Sequence, residues 1–189
     1  MFDRAQIKAM AKGQIKGKIG ILFVCMIIMG FFGSITLGLA APAMGISAIL
    51  IYLALTSGQK PEIGNCTVGF SFFGKALWLS IITGFFTMLW SYLLFVPGII
   101  KAYSYSMAPF ILAENPTLTA RAALNESKRI TMGAKKDLFV MDLSFIGWAL
   151  LGGITGGIAF IYVYPYMQAA KANAYLAIKA RNAAAGVAY

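Results

Sequence analysis

The sequence contains no histidine, only two cysteines, and six acidic residues against sixteen basic ones. Without histidine, Ser-His-Asp, Cys-His and HExxH chemistry is excluded, and the commonest general base is missing. Cys25 and Cys66 fall in an apolar run and a polar loop with no CxxC spacing, which indicates neither a zinc site nor a disulfide framework. The chain also lacks a GxxxxGK[ST] phosphate loop, a GxGxxG turn after a strand and any cluster of acidic ligands. These absences argue against an enzyme and give no reason to expect a cofactor or metal.

Charge is scarce as well. Only 12% of the 189 residues are charged and 60% are hydrophobic, against roughly 25% and 45–50% in soluble domains. What is present instead is a series of long apolar runs, which predicts an all-α, polytopic membrane helix bundle forming one domain over residues 1–189. The basic residues sit in short segments between those runs, so they read as orientation signals and not as a nucleic-acid surface. The apolar run from Ile19 exceeds the 7–15 residues of a signal-peptide core, so the first helix is expected to be retained.

Asp3 to Lys18 reads as a basic amphipathic helix, with Lys8, Lys12 and Lys16 on one face and Ile7, Met10 and Ala11 on another. It suits an anionic membrane surface, or equally a solvated lead-in to the first span. From Ile19 to Thr56 no residue is charged, and that length requires two crossings of about 20 residues each. The break falls at Gly38-Leu39-Ala40-Ala41-Pro42, with Pro42 suited to a first helical turn. Ser57 to Lys75 is expected to be a polar loop, and Ala76 to Val96 a span ended by Pro97-Gly98.

Ile99 to Ala113 is short and polar for a span, carrying Lys101, Tyr103, Ser104, Tyr105 and Ser106. It reads as a tilted crossing or as a helix lining a cavity, the first being favoured. Asn115-Pro116 resembles a helix start, leading into a cytoplasmic helix over Thr117 to Thr131 that Gly133 can end. The glycines at 152, 153, 156 and 157 allow a hairpin or one long helix. The predicted spans lie near 19–39, 42–57, 76–96, 99–113, 138–152 and 156–178.

Six spans with both termini in the cytoplasm leave Lys101 as the single basic residue on the outer side. Five spans would expel Lys171, Lys179 and Arg181 too, so the loop-charge rule favours six. Candidate contacts to lipid, ligand or partner are Lys101, Tyr103, Tyr105, Glu114 and Asp142. The plainer readings are a snorkelling lysine for Lys101, a salt bridge or helix-end position about one turn beyond Lys136 for Asp142, and an interfacial pair with Arg121 or Lys128 for Glu114.

A pattern runs from Pro97-Gly98-Ile99-Ile100-Lys101-Ala102-Tyr103-Ser104-Tyr105-Ser106-Met107-Ala108-Pro109 through Glu114-Asn115-Pro116 and Ala123-Leu124-Asn125-Glu126-Ser127-Lys128 to Asp142-Leu143-Ser144-Phe145-Ile146-Gly147-Trp148. It resembles the bacterial integral membrane family called domain of unknown function 975. The likeness extends to the basic start and to Pro165-Tyr166. It implies a small multi-span protein of the cytoplasmic membrane, chiefly of Gram-positive bacteria, with no established activity.

The function expected on these grounds is a non-enzymatic scaffold, lipid-interacting protein or transporter accessory. Its partners would be the lipid bilayer, with anionic lipid at the cytoplasmic face, and a membrane or cytoplasmic protein. A small transporter or channel with a polar path near Lys101 is the second reading. Self-protection against a membrane-active peptide is the third.

Overall fold

A computed structural model describes residues 3–36, 38–93, 95–155 and 157–184, and among them every regular element is helical. The chain starts with α1 (Arg4–Ile15), whose first N–H groups are capped by the Asp3 carboxylate. Its apolar stripe of Ile7, Ala11 and Ile15, spaced four apart, is fully buried. That stripe packs on the last helix, α10 (Phe160–Ala184), where Gln14 and Asn173 exchange side-chain hydrogen bonds. The stripe is therefore covered by protein and is not free to lie on a bilayer. Lys8 reaches across to the Phe145 ring, 4.6 Å from its centroid, and its partial burial lowers the ammonium pKa.

An 89° bend leads into α2 (Ile19–Ile35), followed by α3 (Ala41–Thr56) with Pro42 in its first turn as expected. The polar loop expected over Ser57 to Lys75 is largely a 3-10 helix, Ile63–Phe72. It runs back along α3, where the Gly69 N–H donates to Ser47 Oγ at 2.8 Å. It also brings Cys66 against Cys25 of α2, both thiols free and buried. As a result α4 (Phe73–Leu93) begins beside the N-terminal half of α3, not beside its end.

Pro97-Gly98 does not end that helix. Both residues lie in the first turn of α5 (Phe95–Tyr105), which folds back on α4. Glycine is needed there because a Cβ on Gly98 would stand 2.8 Å from the Ser91 Cα. The segment expected to run unbroken over Ile99 to Ala113 is interrupted at Ser106-Met107, and α6 (Ala108–Glu114) continues it. Asn115 closes α6 and does not open the next helix. Thr119 caps α7 (Ala120–Ile130), its hydroxyl accepting from the Ala122 N–H at 3.2 Å.

After Gly133, with φ +76°, come α8 (Lys135–Leu143) and α9 (Ile146–Ile154), separated by Ser144-Phe145. Gly152 and Gly153 lie within α9, and a turn at Thr155 and residues 157–159, with Gly157 at φ +94°, separates it from α10, so the hairpin reading holds over the one-helix reading. Gly152 lies under the Phe160 ring, where a Cβ would come within 2.6 Å. Gly156, the start of the sixth predicted span, and the last five residues lie outside the described positions.

Among the described residues, three pairs of consecutive helices, α2/α3, α4/α5 and α9/α10, pack together as hairpins. Burial divides the molecule along them. On α10, Ala169, Ala170, Ala172 and Ala174 are fully buried, and such small side chains let α1 and α3 approach closely. Beyond Cys25 on α2 and Leu79 on α4, no further hydrophobic side chain is fully buried among those described. Ile27, Phe31, Phe85, Met88, Leu150 and Ile154 are all exposed. Two stretches, Ile63–Ser91 and Lys135–Ile154, are long and apolar enough to cross a membrane; α1 with the start of α2 makes a third if that bent pair counts as one span.

Candidate functional site

The interruption between α5 and α6 is built into the local sequence. Pro109 has no N–H to extend α5, and it is placed in the first turn of α6 where none is needed. The Ser106 hydroxyl turns back to the Tyr103 carbonyl at 2.8 Å. The Ser104 carbonyl, near the broken end, accepts instead from Ser127 Oγ of α7 at 2.7 Å. A helix end buried in this way requires such a partner.

Next to this junction stands the break between α8 and α9. Tyr103 of α5 packs edge-on against Phe139 of α8, with centroids 5.8 Å apart, and its hydroxyl donates to Asp142 Oδ2 at 3.1 Å. The other carboxylate oxygen, Oδ1, is buried and accepts no hydrogen bond. Its nearest cation is Lys171 Nζ of α10 at 3.9 Å, which is ion-pair distance but too long for a hydrogen bond. Asp142 is thus paired with Lys171, and not with Lys136 as its sequence neighbourhood indicated.

Lys171 borders two spaces. One is a chamber of about 70 Å³ shared with Tyr103, Ser106, Phe110 and Asp142. The other is a cavity of about 570 Å³ between α3, α4, α6 and α10, lined in part by Pro42, Gly45, Ser80, Phe110 and Gln168. Ion pairs and polar side chains inside an apolar helical protein are functional candidates because their burial is costly.

Of the five residues singled out from the sequence, the structure brings Tyr103 and Asp142 together and places the others elsewhere. Lys101 lies over the Trp90 ring, 5.0 Å from its centroid. Tyr105 is buried, with Lys128 Nζ 5.5 Å from its ring. Glu114 accepts from Tyr175 at 2.7 Å and from Lys179 at 2.6 Å, so its partners are on α10 and are neither Arg121 nor Lys128. A cavity of about 470 Å³ adjoins it, lined also by Thr117, Glu126 and Lys179. Sequence reading missed Gln168 and Lys171. Their spacing of three, as the first amide and the first charged side chain along α10, was the available signal.

The fold and this site define an all-α protein with apolar helices of membrane-crossing length around a polar junction. Residues 93–182 match the model of the family described as Protein of unknown function (DUF975), which bears out the resemblance read from Pro97 to Trp148. The matched stretch includes Pro165-Tyr166 and does not include the basic start. No curated protein and no solved structure matches the chain.

Proposed function

We propose that this is a multi-pass protein of the bacterial cytoplasmic membrane that acts without catalysis, by holding lipid or a membrane partner between its helices. The observation that carries this reading is the uncovered apolar surface. Only 11% of the apolar window in Ile63–Ser91 is buried within the protein. A soluble monomer rarely leaves so much apolar surface in water, whereas a bilayer covers it at no cost.

In this reading the six apolar segments form three hairpins entering from the cytoplasmic side. The charge distribution supports that sidedness, with Lys101 the one basic residue toward the outer turns. Each hairpin returns the chain to the side it left, so both termini are cytoplasmic whether a given hairpin crosses fully or dips partway.

A small transporter is the second reading. Two interrupted helices meeting at an ion pair beside a chamber favour it, since discontinuous helices line many transport sites. Its path would run past Asp142 and Lys171 instead of Lys101, which is held over Trp90.

Two measurements test the proposal. The chain is expected to stay in the membrane pellet after carbonate washing, and proteoliposomes of the purified protein are expected to show no flux of sodium, potassium, chloride or glutamate. Release by carbonate contradicts membrane integration. Flux abolished by Asp142→Asn establishes the transporter reading in its place.

A further inference from the structure

The geometry points to a binding site for one anionic lipid in the cavity between α3, α4, α6 and α10, with the headgroup on Lys171 and Gln168. The assignment rests on the membrane reading above and specifies what the interior holds.

Three observations converge on this cavity. The first is its donor set. Gln168 and Lys171 lie three residues apart on α10, and both line the cavity. Neither makes a hydrogen bond among the described residues, although nearly every other polar side chain at this junction does. The three N–H bonds of the ammonium, which is ion-paired with Asp142 at 3.9 Å, and the two of the amide are therefore not committed to hydrogen bonds, which suits a ligand rich in acceptor oxygens and carrying negative charge. Ser80 adds a hydroxyl from α4.

The second is the disposition of charge. Asp142, the one carboxylate near Lys171, lines the small chamber and not the large cavity. The large cavity therefore has a cation at its wall and no anion. The first turns of α3 (Ala41, Pro42 and Gly45) border the same space, and the positive end of that helix adds to the field.

The third is where the cavity sits. Ala76 and Leu79, the last fully buried hydrophobic positions described on α4, line it, and beyond them α4 is uncovered. The cavity thus lies at the border between the packed bundle and the apolar hairpins that the bilayer would cover. A headgroup seated on Lys171 and Gln168 can extend its acyl chains along the exposed flank of α4, past Ile81 and Phe85. A free anion would use the donors but leave that flank empty. About 570 Å³ is within the range of roughly 300–1,000 Å³ typical of ligand sites.

The test uses the purified full chain in a neutral detergent, read by native mass spectrometry and by the lipid-induced shift in melting temperature. Dioctanoyl phosphatidylglycerol is expected to bind saturably, one per chain, and about tenfold more tightly than dioctanoyl phosphatidylcholine. Lys171→Met is expected to weaken it about tenfold, while Lys171→Arg retains binding. Should Lys171→Met fail to fold because Asp142 loses its counter-charge, Gly45→Leu serves instead. Gly45 lines the cavity and a Cβ there meets nothing within 4 Å, so a larger side chain has room to begin at its wall.

Unchanged affinity in Lys171→Met or in Gly45→Leu overturns the site. Equal binding of the two lipids overturns its charge selectivity, and equally tight binding of glycerol phosphate overturns the lipid in favour of a soluble anion. Any of these results in a chain that still resists carbonate washing contradicts this site alone and leaves the membrane reading intact.

Discussion

At the scale of residues, Asp142 divides its two oxygens between different tasks. Oδ2 takes the Tyr103 hydroxyl, while Oδ1 faces Lys171 across 3.9 Å. A hydrogen bond to a charged acceptor contributes about 1.5–3 kcal/mol, and the Asp142 side chain is 30% exposed, which favours the low end. Tyr103→Phe is therefore expected to lower unfolding stability in detergent by about 1.5 kcal/mol. The coupling between Asp142 and Lys171 in a double-mutant cycle is expected to fall within about 0.2–1 kcal/mol, since the pair is separated and partly exposed. A coupling several times larger would mean a direct hydrogen bond. Tyr103 and Asp142 were legible as candidates because polar groups stand out in apolar helices. Their third partner was not, because Lys171 is 29 positions beyond Asp142 while Lys136 is within two turns of it. Glu114 repeats the lesson, since its partners Tyr175 and Lys179 come from a helix that only the tertiary fold brings near.

At the scale of elements, apolar runs and prolines announced the helices, but their interruptions answered to packing. Asn115-Pro116 has the composition of a helix start, yet the chain uses Thr119, four residues on, because α6 extends as far as Glu114. Thr119→Ala is accordingly expected to cost about 1 kcal/mol by chemical unfolding, and Asn115→Ala close to nothing. The 3-10 helix over Ile63–Phe72 was hidden for a related reason. Its glycines and polar residues read as a loop, and only the groove along α3 makes an ordered helix of them.

The α4/α5 hairpin gives a sharper test of close packing. Gly98→Ala drives a Cβ into Ser91 and is expected to cost about 1–3 kcal/mol, whereas Gly84→Ala on the open face of α4 costs nothing measurable. Thermal unfolding of both variants in detergent checks the contrast. Equal losses would mean that α5 does not pack on α4 as described.

At the scale of the whole molecule, a packed bundle rich in buried alanine carries hairpins whose apolar side chains face outward. Composition alone made helices of membrane-crossing length and apolarity legible, because 12% charge leaves long runs with none. The unequal heights of the segments were not legible. Hydropathy treats each apolar run as a crossing, whereas the 3-10 helix that climbs back along α3 sets α4 beginning partway along its neighbour.

The sidedness proposed above does not depend on those heights, since in that proposal three hairpins return the chain to one side whether or not each crosses fully. Maleimide labelling measures it most directly, in a chain with Cys25 and Cys66 replaced by alanine. Ile154→Cys, 84% exposed at the turn of the last hairpin, is expected to react with a membrane-impermeant reagent applied to intact cells. Ala184→Cys, at the end of α10, is expected to react only after the cells are opened. Labelling of Ala184→Cys from outside would contradict the three-hairpin account.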